Sequence, residues 1–261
     1  LLLIGGIHLV FFWPGDILTL YALLGLVLIL FRNFEDKRLL RWATVLLLLP
    51  IVHWCAMYFS GNFYPYALYG FVSEHAATLG LVTPETMGTD RPRYDPGANI
   101  ASADFFQWFQ MQVKLPAMRL AMILMEGRIF KVLALFLIGI WAGRQILNKN
   151  ILANKQLLKS ITLLGIGIGL PFSILRAVIE YGEFSGGLAR FLSFLFYALA
   201  VVPMACGIAA GIALIVIKKP NALAWFAPVG RTALSNYLFQ TVIAISIFYG
   251  IGLGFTRQFG F

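Results

Sequence analysis

An imidazole and a carboxylate eight residues apart, His8 and Asp16, flank a Pro14-Gly15 break in an otherwise apolar stretch, GGIHLVFFWPGDILTLYALLGL. Histidine is the side chain best suited to take up and return a proton near neutral pH, and a neighbouring carboxylate can fix its tautomer and direction. A second imidazole, His53, sits inside a later apolar run. If each run is helical, His8 and His53 lie about two turns below the outer ends of their segments, which would let His8, Asp16 and His53 face one cavity. A plainer reading has Asp16 cap the next helix through its first free N–H groups, and the spacing alone leaves both readings open.

Polar residues also gather at the start of the last apolar run, where Arg231, Thr232, Ser235, Asn236, Tyr237 and Gln240 follow one another. Such a cluster can hydrogen-bond a polar ligand arm entering the bundle, or it can stitch a helix start to its neighbours. Arg176 and Glu180 are four residues apart on one helix face, where an ion pair is the first expectation and a site the second. No metal centre is expected. Cys55 and Cys206 stand alone in separate apolar runs, and His8, His53 and His75 lack ligand spacing.

The elements that must position these groups follow from composition. Of 261 residues, 60% are hydrophobic and 12% charged, and the mean hydropathy is +0.84. A water-soluble domain of this size has too little interior to hide so much apolar surface. A layer roughly 30 Å thick needs about 20 mostly apolar residues to cross it as a helix, and the alternation of barrel strands is absent. The chain therefore reads as an all-α polytopic transmembrane bundle, one domain over residues 1–261.

About seven crossings are predicted: Leu1 to Trp13, Ile17 to Phe31, Ala43 to Ser60, Ile129 to Leu147, Ser160 to Ile179, Phe191 to Ile217 and Thr232 to Phe255. The first opens in mid-helix without an initiator methionine, so the numbering is expected to begin inside a longer protein, and more chain is expected after the last. Glycines four apart, in GIGIG (165 to 169), at Gly207 and Gly211, and at Gly250 and Gly254, read as seams where helix backbones approach closely.

Three connectors fall on one side by alternation: residues 32–41, 144–159 and 218–231. They hold eleven of the twenty Lys and Arg, which makes that side cytoplasmic, and nine of the eleven acids fall opposite. This topology accounts for the net charge of +9 and argues against nucleic-acid binding. Residues 61–128 form a long extracytoplasmic stretch. It combines turn formers, TPETMGTDRPRYDPGANIASAD, with FFQWFQMQVKLPAMRLAMILM, where Phe105, Trp108, Phe109 and Gln112 recur at helical spacing after a cap at Asp104. The second part is expected to be an interfacial amphipathic helix, either a plain anchor or the roof of a cavity.

Two stretches, GGIHLVFFWPGDILTLYALLGL and PVGRTALSNYLFQTVIAISIFYGIGLG, resemble the signature regions of the YeiB-like family of bacterial inner-membrane proteins, whose function is unknown. The matching positions are His8, Trp13, Gly15, Asp16, Ile17, Leu18, Tyr21 and Gly25, then Gly230, Arg231, Ala233, Leu234, Asn236, Tyr237, Gln240, Phe248, Tyr249 and Gly250. The chain departs from that pattern at Thr232 and Ser235, which stand where the family usually has Met and Thr.

That family is distantly similar to membrane acyltransferases, including the lysosomal enzyme that acetylates heparan glucosamine. The resemblance implies a multi-pass protein of the bacterial inner (plasma) membrane that takes an acyl group from cytoplasmic acyl-CoA to an acceptor at the other face. Under that reading His8, Asp16 and His53 are the catalytic candidates. Arg38, Arg144 and Arg231 are the cations for a coenzyme A diphosphate, and Asn236, Tyr237 and Gln240 are contacts for its pantetheine arm. The basic residues are equally explained by topology alone. The partners expected are the lipid bilayer, acyl-CoA, an unknown acceptor and, as an open option, further copies of the chain. The competing class is a transport or binding protein that holds a lipid or small solute with no covalent step.

Overall fold

Why a run becomes a helix here is first a matter of backbone polarity: in lipid every N–H and C=O must be satisfied within the segment or by a neighbour. A computed structural model of the chain describes residues 1–13, 15–62, 64–78, 105–149, 151–182, 184 and 186–257, which are helical with no strand among them. The helices are α1 (Leu2–Phe11), α2 (Leu18–Leu28), α3 (Asp36–Ser60), α4 (Tyr64–Thr78) and α5 (Phe105–Met125). They continue as α6 (Arg128–Lys149), α7 (Lys155–Tyr181), α8 (Gly187–Lys218), the short α9 (Ala227–Arg231) and α10 (Ala233–Phe248). The expected cap at Asp104, the turn-former run before it and Pro14 lie outside the described residues.

Four of these helices, α3, α6, α7 and α8, are long and apolar enough to cross a membrane. Three shorter apolar helices, Leu2–Phe11, Leu18–Phe31 and Ala233–Phe248, fall where the remaining crossings were read. Outward apolar side chains are the rule: Leu3 is 76% exposed, Leu30 74% and Leu163 73%. Surface of this kind needs lipid rather than water around it.

The chain divides into two compact units. The first comprises Leu1–Ile29, Ala56–Ile129 and Val229–Phe261, and the second Leu30–Cys55 and Phe130–Pro228. Inside the first unit α1 packs on α2 and on α5, and α4 packs on α5. Trp108 and Gln112, one turn apart on α5, are both buried, so this helix does more than lie on a surface.

In the second unit the dominant contact is α7 against α8. Its cause is the glycine seam. A Cβ on Gly165 would collide with the backbone of Pro203 and Gly207, and one on Gly169 would collide with the Met204 backbone. Small residues let the two backbones touch, which lets dispersion hold helices that have no hydrophobic drive to associate in lipid. On α3 the buried stripe Leu39, Ala43, Leu46 and Pro50 follows helical spacing.

One expected seam is corrected. Gly250 and Gly254 are not on a helix face, because α10 ends at Phe248 and the chain turns back there. The Gly252 and Gly254 N–H groups both donate to the Tyr249 carbonyl, and Gly254 takes a φ of +67° that suits glycine.

Candidate functional site

The turn between α1 and α2 brings its polar residues together. At the end of α1 the Phe12 and Trp13 N–H groups both donate to the His8 carbonyl, at 3.0 and 2.8 Å, and the Asp16 N–H then donates to Trp13 at 3.2 Å. Gly15 leaves room in this turn for the Trp13 indole, which lies where a Cβ would stand. The result folds Asp16 back toward His8 from the following element.

His8 Nδ1 lies 3.0 Å from Asp16 Oδ1. The other oxygen of that carboxylate, Oδ2, accepts the Thr19 N–H at 2.8 Å. Asp16 is thus a helix cap, as the plainer reading has it, and at the same time the partner of a histidine. His8 is 3% exposed and Asp16 2%. A buried carboxylate of this kind is tolerated only when its oxygens are paired, as both are here.

On its far side the ring reaches across 233 residues of sequence: His8 Nε2 lies 3.1 Å from Thr241 Oγ1. Thr241, on α10, is buried, and its hydroxyl also reaches the Tyr237 carbonyl at 3.3 Å. A carboxylate only accepts, so Nδ1 carries the hydrogen and Nε2 of the neutral ring offers its lone pair to the threonine. The rings of Phe12, stacked at 6.3 Å, and Tyr237, at 5.1 Å, flank the imidazole. Asp16, His8 and Thr241 form one buried chain of acid, base and hydroxyl.

Helix α5 covers the same turn. The Gln112 amide donates to the Phe12 carbonyl at 3.5 Å and Arg119 to the Gly15 carbonyl at 3.4 Å. Burial, and then the charge of Arg128, lower the Arg119 guanidinium from its ordinary value, while Glu126, Tyr237 and Asp16 raise it. Among the described residues, Gln112 Oε1, Trp108 Nε1 and Arg119 Nε are buried without a hydrogen-bond partner. Two of these belong to the residues that bond the turn, and a buried polar atom left so is the kind that a polar ligand can satisfy.

Other candidates lie elsewhere. His53 belongs to the second unit, where its ring meets Phe130 edge-on at 6.1 Å. His75 directs Nδ1 to the Phe71 carbonyl of its own helix, at 2.8 Å. Asn236 turns its amide to Thr232 Oγ1 at 3.1 Å and Val229 O at 3.4 Å, bracing the start of α10 rather than joining the His8 chain. Arg231 and Gln240 are exposed, whereas Tyr237 is half-buried with its phenol facing Asp16 and the Ile17 amide.

In the second unit Arg144 is engaged by the Phe34 carbonyl at 2.6 Å, the Arg32 carbonyl at 2.8 Å and Asp36 at 3.4 Å, so it fastens the α2–α3 connector. Arg38 lies 4.0 Å above the Phe34 ring. With Arg41, Trp42 and Val45 it lines an open groove of about 370 Å³. Arg176 and Glu180 form the expected pair at 2.7 Å, joined by Ser193. Among the described residues no group of three His, Cys, Asp or Glu side chains gathers as a metal ion would require.

Thr241 is the residue that sequence reasoning passed over. Its signal was present: it lies four residues after Tyr237 and four before Ile245, the face of α10 that turns inward.

Residues 142–261 match a family model described as a protein of unknown function (DUF418). That region includes the second of the two stretches behind the family resemblance and supports it. The chain is 28% identical over 261 residues to the uncharacterized protein YxaH of Bacillus subtilis (strain 168), a match that takes in 97% of this chain. It spans 58% of that relative's length. No solved structure matches.

Proposed function

We propose that the chain is part of a bacterial inner-membrane acyltransferase, in which His8, oriented by Asp16, is the general base for transfer from cytoplasmic acyl-CoA to an acceptor at the extracytoplasmic face. The observation that carries this reading is the buried run of Asp16, His8 and Thr241, with both carboxylate oxygens and both imidazole nitrogens engaged. Lipid-embedded helices keep polar side chains at a cost of a few kcal/mol each, so a linked, buried set of three argues for chemistry. An acid that fixes Nδ1–H leaves Nε2 as the proton acceptor, the division of labour that activates hydroxyl nucleophiles in unrelated hydrolases.

The remaining parts have candidate positions. The guanidiniums of Arg38 and Arg41, beside Trp42, suit a diphosphate with an adjacent adenine or acyl chain. In the first unit Tyr237 and Gln240 stand on α10, the helix that carries Thr241, whereas the local bonds of Arg144 and Asn236 make them poorer ligands than their residue types suggested. Gln112, Trp108 and Arg119, each with a buried polar atom left unpartnered, suit an acceptor rich in hydroxyl or anionic groups.

Titration calorimetry of the full-length protein in nanodiscs with acetyl-, succinyl- and palmitoyl-CoA tests the reading. Saturable binding to at least one thioester, weakened about tenfold or more by joint replacement of Arg38 and Arg41 with alanine, is expected. Absence of binding to all three by a folded protein overturns it. The same three unpartnered atoms on α5 favour a second reading, a protein that holds a polar solute without chemistry. Under it, solute binding survives His8→Gln and no thioester is consumed.

A further inference from the structure

We infer that Thr241 is the nucleophile that carries the acyl group, so that transfer runs through a covalent ester on its hydroxyl; this rests on the acyltransferase reading above. Nucleophile and base must stand within hydrogen-bond reach, with a third group orienting the base. Thr241 Oγ1 is 3.1 Å from His8 Nε2, His8 Nδ1 is 3.0 Å from Asp16 Oδ1, and Asp16 is itself fixed by the Thr19 N–H at 2.8 Å. Every link is held by the next.

A threonine in a helix interior can satisfy its hydroxyl on the carbonyl four residues earlier and needs no distant partner for that purpose. Thr241 has such a carbonyl, that of Tyr237, but at 3.3 Å it is the longer of the two contacts. The hydroxyl therefore has two settings. With its hydrogen on Nε2 of the neutral ring it is ready to lose that proton, and once Nε2 is protonated it can turn its hydrogen to the Tyr237 carbonyl and accept from Nε2–H. Burial, with Thr241 at 8% exposed, keeps bulk water from an ester formed there.

Direction across the membrane adds a reason for a carrier. Donor and acceptor reach the bundle from opposite leaflets, and an acyl group held on the protein lets one leave before the other arrives. In the first half-reaction Oγ1 attacks the thioester carbonyl while Nε2 takes the hydroxyl proton. The C–S bond then breaks, and the departing thiolate takes that proton from the imidazolium as free coenzyme A. In the second, the acceptor hydroxyl or amine gives its proton to Nε2 and attacks the Thr241 ester. The ester C–O bond breaks, and the proton returns to Oγ1. Atoms and charges balance without an oxidant, reductant or metal.

The full-length protein in nanodiscs is incubated with acetyl-, succinyl- or palmitoyl-CoA, quenched in acid and digested for mass analysis. A second arm follows exchange of isotopically labelled coenzyme A into unlabelled acyl-CoA with no acceptor present, the kinetic signature of a covalent intermediate. Wild type is expected to exchange and to carry the acyl group on the Thr241 peptide, T241S to retain both, and the near-isosteric T241V to lose both while still binding thioester. Exchange by T241V at the wild-type rate, or thioester binding by wild type with Thr241 never acylated, overturns the inference and leaves the acyltransferase reading standing. Failure of wild type to bind any of the three thioesters removes both.

Discussion

The two units meet the same difficulty, polar backbone and side chains in lipid, with different emphasis. The first buries side-chain polarity: His8, Asp16, Gln112 and Thr241 are all withdrawn from the surface. The second packs bare backbone, with Gly165 and Gly207 in direct contact along α7 and α8, buries Gln145 against Asp36 and Lys131 over the Tyr197 ring, and keeps the Arg176–Glu180 and Arg144–Asp36 pairs part-exposed. A glycine seam needs no hydrogen-bond partners and offers no chemistry, so it is a scaffold. Buried side-chain chains are harder to satisfy and are worth keeping where a reaction needs them.

The largest expected effect tests that contrast at Asp16. Replacing it with alanine leaves the buried His8 Nδ1–H and the part-buried Thr19 N–H without their acceptor, and each donor so orphaned costs about 1–3 kcal/mol. A fall of that size in denaturant unfolding of the detergent-solubilised protein is expected. Asp16→Asn keeps an N-cap acceptor and is expected to recover most of the loss. If the alanine variant is as stable as wild type, the buried chain is not what holds the α1–α2 turn.

Next in size is the seam. Gly165→Ala pushes a methyl group into the Pro203 and Gly207 backbone and is expected to cost about 1–3 kcal/mol by overpacking. Gly167, two residues on with open space at its Cβ, is the control: Gly167→Ala is expected to be neutral or to stabilise α7 by up to about 1 kcal/mol. Equal responses at the two positions in thermal unfolding would remove the seam from the account. Neither variant is expected to alter thioester binding.

The smallest effects belong to the part-exposed pairs. Arg144→Ala gives up contacts to two carbonyls and Asp36 and is expected to cost about 1 kcal/mol, because the pair is about a third exposed and partly screened. Glu180→Gln is expected to change stability by less than about 1 kcal/mol. A loss of several kcal/mol at either would show that the second unit, too, depends on its polar contacts.

How much of this was readable in the residues differs by element. Helices α3, α6, α7 and α8 appear where the apolar runs predicted, extended at their ends because flanking polar residues such as Asp36 and Lys155 join the helix. The end of α10 was misplaced because Gly250 to Gly254 look like a helix-face motif until Tyr249 collects the turn hydrogen bonds. Helix α4 went unread, its composition resembling the connector around it. For the site, the Pro14-Gly15 break marked the join between two helical runs, but spacing alone could not place Asp16 within hydrogen-bond reach of His8. The spacing from Tyr237 put Thr241 on the inward face of α10, but its role could not be read because its partner is 233 residues away.

The most direct measurement is release of coenzyme A from acyl-CoA by native membrane vesicles, which contain the acceptor, comparing wild type with Asp16→Asn at matched abundance and unfolding temperature. With the imidazole held in the wrong tautomer, the rate is expected to fall by about 10⁴. A variant that releases coenzyme A as fast as wild type would contradict the assignment of His8 as an Asp16-oriented base.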